Sequence, residues 1–194
     1  MTIKILGVGS SMRQGSFSTE ALKIALDFAK QNDAQTRLLD LSQTQLPMLY
    51  SKDQKTKEIQ KATDDVKWAD AFILATPDYH GSMSGSMKNF LDYFWSEFTG
   101  KLFGYICASH EKGLTVMDQM RTVVRQCYGW SMPYGLSVNS KEDFKGLEIT
   151  NNKIKLRLEM LARDLTVYGK PIREQFVTDL KGTEPKTFAA HYRK

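Results

Sequence analysis

Short apolar runs recur along this 194-residue chain, and each is followed by a stretch with helical spacing. The runs at 3–8, 36–41, 71–76 and 101–108, with a fifth inside 130–138, read as strands. In the stretches that follow, apolar residues return every three to four positions, as on one face of a helix. Leu22, Ala25, Leu26 and Ala29 form such a face from Ser18 onward, and Ile59, Ala62, Val66 and Ala69 form one from 55–68. A third helix is read over 85–95. A fourth covers 114–128 with Val116, Met120, Val123, Val124 and Cys127 inward, and a last covers 153–168 with Ile154, Leu158, Leu161 and Leu165 inward. Alternation of strand and helix implies parallel pairing, because each helix returns the chain to the same end of the sheet. Right-handed crossovers then put helices on both faces.

Five such units match a flavodoxin-like three-layer α/β/α sandwich around a five-stranded parallel sheet of order 2-1-3-4-5. Residues 1–170 are read as one domain of this kind. The polar residues 171–194, with Pro171 and Pro185, are read as a tail that is loose or laid on a partner subunit. An apolar content of 41% supports one folded domain rather than disorder. No apolar run is long enough to span a membrane, and residues 1–6 lack the pattern of a signal peptide, so a cytoplasmic protein without a membrane partner is expected. The net charge of +5 comes from lysines and arginines scattered among acids, so nucleic acid is not expected as a partner. The mild positive field favours a phosphorylated ligand. Cys107 and Cys127 fit neither a redox pair nor a zinc set; they read as small buried hydrophobes, and no metal site is expected.

In a doubly wound sheet, ligands bind at loops leaving the carboxyl ends of the strands. The first such loop brings Ser10, Arg13, Ser16 and Ser18, with Phe17 among them, to the start of a helix. Hydroxyls, free backbone N–H groups and the guanidinium favour an anion there. The loop lacks the Gly-Lys-Ser/Thr of a Walker loop, and Gly7-Val8-Gly9 lacks the third glycine of the dinucleotide fingerprint. A Ser-rich turn with a helix cap fits the same residues. The second loop, Pro77, Asp78, Tyr79, His80, Gly81 and Ser82, is rich enough in small residues and turns to let a flat aromatic cofactor lie close to the backbone. Tyr79 or His80 would stack on or edge the ring, although His80 also reads as a simple loop hydrogen-bonder and Ser84 as a helix cap. The third loop offers Ser109, His110 and Gly113 at the same level.

These residues resemble a known family. Gly9-Ser10 with Arg13, Ser16 and Ser18 is similar to the phosphate loop of NAD(P)H-dependent FMN reductases, a family that includes azo, quinone and chromate reductases and arsenical-resistance flavoproteins. Their second motif is Pro-Glu-Tyr-Asn, three residues, Pro-Gly, two residues, Lys-Asn, two residues, Asp. This chain has Pro77, Asp78, Tyr79 and His80, then Ser84-Gly85, Lys88-Asn89 and Asp92 at that spacing. Leu46-Pro47-Met48-Leu49-Tyr50 resembles the family's Leu-Pro-Leu-Tyr stretch, and the likeness covers about 3–168. Asp78 for Glu, His80 for Asn, Ser84 for Pro and a third loop with one glycine are departures near where the ring would lie.

The resemblance implies FMN as cofactor and NADPH or NADH as co-substrate. Hydride would pass from the nicotinamide through FMN to a small acceptor, such as free flavin, a quinone, an azo compound or a metal oxyanion, in ping-pong order. Phosphate would be held at Ser10, Arg13, Ser16 and Ser18, and the ring seated on residues 77–82. Ser109 to Gly113 would donate to the ring, and no side chain is implied as a classical acid or base. The resemblance also implies a homodimer or homotetramer, with the aromatic run Phe90, Phe94, Trp95 and Phe98 divided between core and interface. A one-electron carrier and a non-catalytic flavin sensor are the alternatives; flavodoxins are usually acidic, and this chain is basic.

Overall fold

The computed structural model describes residues 1–51 and 53–193. In chain order, β1 (Lys4–Gly9), α1 (Phe17–Gln31), β2 (Gln35–Asp40), α2 (Lys57–Trp68), β3 (Ala71–Pro77), α3 (Gly85–Asp92), β4 (Leu102–Ala108) and α4 (Leu114–Gln126) form the alternating part. Two short strands follow, β5 (Trp130–Ser131) and β6 (Leu136–Val138), then a small antiparallel pair, β7 (Phe144–Lys145) and β8 (Glu148–Ile149), and finally α5 (Asn152–Lys181) and a 3-10 turn at Phe188–Tyr192. The main sheet runs β2-β1-β3-β4-β5, all parallel, with β6 also on β4. This is the flavodoxin-like order expected from the alternation.

Side chains on a strand point alternately to opposite faces, and the core divides accordingly. Leu6 and Val8 of β1, Phe72 and Leu74 of β3, and Phe103 and Tyr105 of β4 face α2, α3 and α4. Ile5, Ala71, Ile73 and Ile106 face α1 and α5. All are fully buried. Burying a side chain of this size contributes about 1.5–3 kcal/mol, which makes the central strands the stable frame. Both cysteines are free and buried.

Several boundaries differ from the sequence reading. The strand expected within 130–138 is two short ones, because the chain leaves the sheet at Met132–Gly135, where Pro133 has no N–H to give a ladder. The third helix stops at Asp92; Phe94 and Phe98 then turn back into the core, Phe98 packing 5.4 Å from Phe72 and 5.3 Å from Phe103, while Trp95 stays 60% exposed. The last helix does not stop at 168. It runs through Pro171 to Lys181, so much of the segment read as a tail is helix, and the boundary at 170 falls inside it. Proline costs this helix the bond to the Val167 carbonyl, which lies on an exposed turn where water can replace it. Beyond it Phe176 is buried, and Arg193 donates to the carbonyls of Asp179 and Glu184, tying the end down.

The register places the site. Gly9 pairs with Ala75, and Pro77 and Val138 both pair with Ala108, so the carboxyl ends of β1, β3, β4 and β6 finish close together. The chain leaves β1 toward β2 and later returns to β3 on the other side, which opens a crevice between the loops after β1 and β3.

Candidate functional site

A cleft of about 770 Å³ lies in that crevice, walled by Ser11 and 13–17 from the first loop, 77–81 from the second and 108–111 from the third, with Thr115, Val138 and Ser140 completing its lining. The start of α1 forms one end. Its N-cap is Ser16, in extended conformation, but no side chain caps the helix: the Ser16 hydroxyl pairs with that of Ser18 at 3.0 Å instead. The first-turn N–H groups are thus left open at the cleft. Thr19, in the same turn, has a buried hydroxyl without a partner among the described residues. The caps of α2, α3 and α5 behave differently, since Thr56, Ser84 and Asn151 each accept from their own helix. The exposed Arg13 stands beside the open turn. Open N–H groups, a positive helix end and a guanidinium are the chemistry that attracts an anion.

The second loop is a tight hairpin. Tyr79 and Ser82 exchange both backbone hydrogen bonds, at 2.9 and 3.1 Å, around His80 and Gly81. Both central residues have positive φ, 58° and 74°, as a type I′ turn requires. Glycine takes that conformation freely, whereas histidine is strained there. Asp78 holds the turn from one side: its Oδ1 accepts the Gly81 N–H at 2.8 Å, and its Oδ2 accepts the Ser109 hydroxyl at 2.7 Å, joining the second loop to the third. Below the hairpin, Ser84 donates to Ser10 Oγ at 2.8 Å and Thr76 donates to Ser84 at 3.3 Å, while Ser10 donates to the Ala75 carbonyl at 3.1 Å. These hydroxyls fasten the first loop to the second. Asn89 and Tyr93 of the following segment both donate to the Pro47 carbonyl, at 2.9 Å each, which pins the 46–50 stretch against α3.

In the third loop Lys112 and Gly113 have positive φ, and a Cβ on Gly113 would stand 2.5 Å from Cys107 Sγ, so glycine is needed where α4 begins. Burial, with help from the nearby Asp78 carboxylate, pushes the Cys107 thiol up to about 12. A thiol held that firmly protonated is not a nucleophile. Among the described residues no cluster of His, Cys, Asp or Glu could hold a metal.

Of the residues singled out in the sequence, Arg13, Ser16, Phe17, Pro77, Asp78, Tyr79, His80, Gly81, Ser109 and His110 line the cleft. Ser10, Ser18, Ser82 and Gly113 stand behind its walls: Ser10 and Ser18 are fully buried, and Ser82 turns its hydroxyl to Gln119 at 2.9 Å. Ser11, Gln14, Thr115 and Ser140 also line it but were not singled out in the sequence, while Glu111 lies within the 109–113 stretch that was. Ser11 and Gln14 adjoin residues that were read, whereas Thr115, Gln119 and Ser140 sit on a polar helix face or a late loop that one sequence cannot tell from a solvated surface.

The family model for NADPH-dependent FMN reductases matches residues 3–143, covering all three loops. The chain belongs to that family. Among its relatives, it is 33% identical over 95 residues to the NAD(P)H-dependent FMN reductase of Pseudomonas aeruginosa, a match spanning 47% of this chain and about half (49%) of the relative. It is 25% identical over 184 residues to the FMN-dependent NADPH-azoreductase of Staphylococcus saprophyticus, spanning 87% of this chain and 96% of the relative. Among solved structures, an NADH:FMN oxidoreductase in its apo form superposes with a TM-score of 0.72 at 20% identity over 86% of this chain and 90% of that one, a likeness of fold.

Proposed function

We propose that this chain is an FMN-dependent NAD(P)H oxidoreductase that binds the cofactor in the cleft above β1, β3 and β4 and delivers two electrons to a small acceptor. The observation that carries this is the uncapped start of α1, open to the cleft beside Arg13 in a chain of the FMN reductase family. The residues fit the group. A volume of about 770 Å³ lies within the roughly 300–1,000 Å³ of small-molecule sites, and the uncapped first turn beside Arg13 suits a phosphate. When bound, FMN supplies the hydride chemistry that no side chain here has.

The chain's own residues bind and orient. The first-turn N–H groups, Ser16 and Arg13 hold the phosphate; Ser10 and Ser18 act from behind by fixing the loop. The hairpin at 79–82 and the third loop at 108–111 flank the ring, and Ser109 and Asp78 brace one against the other. Tyr79, His80 and His110 are exposed at the mouth, where reductant and acceptor would take turns. The same reading carries NADPH or NADH as donor, a homodimer or homotetramer, and a cytoplasmic location. The exposed Trp95 supports a subunit contact, and two unpaired cysteines support a reducing compartment.

The test is titration of the purified protein with FMN, followed by anaerobic addition of NADPH. Saturable quenching of flavin fluorescence and rapid bleaching on adding NADPH are expected. No FMN binding overturns the cofactor reading. Binding without bleaching by NADPH or NADH leaves a carrier or sensor instead.

A further inference from the structure

The hairpin at 79–82 overhangs the cleft, yet a turn with one pair of ladder bonds does not hold its own shape in water. Its strained His80 needs surroundings that over-determine the backbone. Asp78 supplies one tie, to the Gly81 N–H. The others come from α4. Gln119 Oε1 accepts the Ser82 hydroxyl at 2.9 Å and the Met83 N–H at 3.2 Å, and its Nε2 donates to the Gly81 carbonyl at 3.2 Å. Thr115 donates to the same carbonyl at 3.4 Å. A primary amide is the side chain that offers an acceptor and a donor from one carbon, and all of its ties here fall on three consecutive residues. Gln119 lies in a separate groove, on the side of the hairpin away from the cleft, with Met83, Lys88 and Val123, and does not line the cleft itself.

We propose that Gln119 is a positioning residue: gripping the hairpin from behind, it sets the height of Tyr79 and His80 over the cleft and thereby how tightly the flavin is held. This rests on the cofactor reading above. The geometry gives the direction of the effect. With the amide lost, the Gly81 carbonyl keeps a single long bond to Thr115 and the Ser82 hydroxyl and Met83 N–H keep none, so the hairpin lifts toward solvent and its contact with the ring loosens.

The test compares Gln119→Met, which keeps the length without the bonds, with Gln119→Glu, which keeps the acceptor and loses the donor. Q119M is expected to raise the FMN dissociation constant about tenfold and Q119E about threefold, with a changed visible circular dichroism of the bound flavin and faster amide exchange at Met83 in the flavin-free protein. Ser82→Ala combined with Q119M is expected to be non-additive, because both act on one contact. If Q119M fails to fold, Q119E and Ser82→Ala carry the comparison. Wild-type-like flavin affinity and dichroism in these variants overturn this inference alone. A wild-type protein that takes up no FMN overturns the cofactor reading, and this inference with it.

Discussion

The two ends of the central sheet are built on opposite terms. At the amino ends of the strands, polar groups are paired and sealed. Asp70 accepts from Lys4 N–H and from Arg173, Lys101 donates to the Val66 carbonyl at 2.9 Å, and Phe176 fills the space over Gly100. Phe188 stacks between Phe176 and Tyr128, and Tyr192 meets Phe176 edge-on, to close that end. At the carboxyl ends, helices α1 and α4 start without side-chain caps. One end closes its polar and aromatic groups on one another; the other leaves the first turns of two helices without side-chain partners.

The largest expected effect that tests this contrast is at the sealed end. Phe176→Ala should destabilise the protein by about 3–5 kcal/mol in denaturant unfolding, because it empties the space over Gly100, while FMN affinity stays within about twofold. A large loss of FMN affinity in the folded variant would break the separation of the two ends. Next comes Arg13→Ala at the open end. It should weaken FMN binding by about 1.5–3 kcal/mol, while stability moves by less than about 0.5 kcal/mol. An unchanged dissociation constant would remove Arg13 from the anion site.

Lys101 sharpens the comparison through pH. Burial first, then repulsion from Arg173, lowers its ammonium from 10.5 to about 7, against the opposing pull of Asp70 and Glu97. Between those values the unfolded chain binds a proton that the folded one does not, so unfolding takes one up and stability rises with pH across the window. The rise approaches about 1.4 kcal/mol per pH unit where the difference is a whole proton, and below pH 7 this contribution levels off at its least favourable. Lys101→Met should flatten that part of the profile in unfolding curves taken from pH 7 to 10. A slope equal to the wild type would exclude Lys101 as its source.

The smallest effect belongs to His80. Replacing it with glycine at φ 58° relieves strain and should raise stability by about 0.5–1 kcal/mol, the reverse of what a substitution at the sealed end does. A lower melting temperature would mean that the histidine makes a contact outweighing its backbone cost.

Much of this was legible in the sequence. Alternating apolar runs settled the parallel order, and Ser84 is the cap its position suggested. The second-loop motif led to the wall of the cleft because its residues are contiguous and their turn chemistry is local. Three things were not legible. Pro171 looked like a helix stop, but burial of Phe176 against Gly100 carries the helix past it. Ser10 and Ser18 were read as ligand hydroxyls; in the fold both are buried, the Ser10 hydroxyl on the Ala75 carbonyl and the Ser18 hydroxyl on that of Ser16, pairings that the sequence does not announce. Gln119 drew no reading, because nothing in the spacing of α4 sets it apart from the other polar residues of that helix.

Periodicity and turn residues, which act over a few positions, were enough to determine the sheet order, the two-sided core and the three loops. Which hydroxyls stay open, which helix start goes uncapped and which distant amide grips the hairpin were decided only when α1, α4 and the loop after β3 came together. Hydrogen-bond pairing over distances of about 3 Å depends on that packing, and linear spacing carries no record of it.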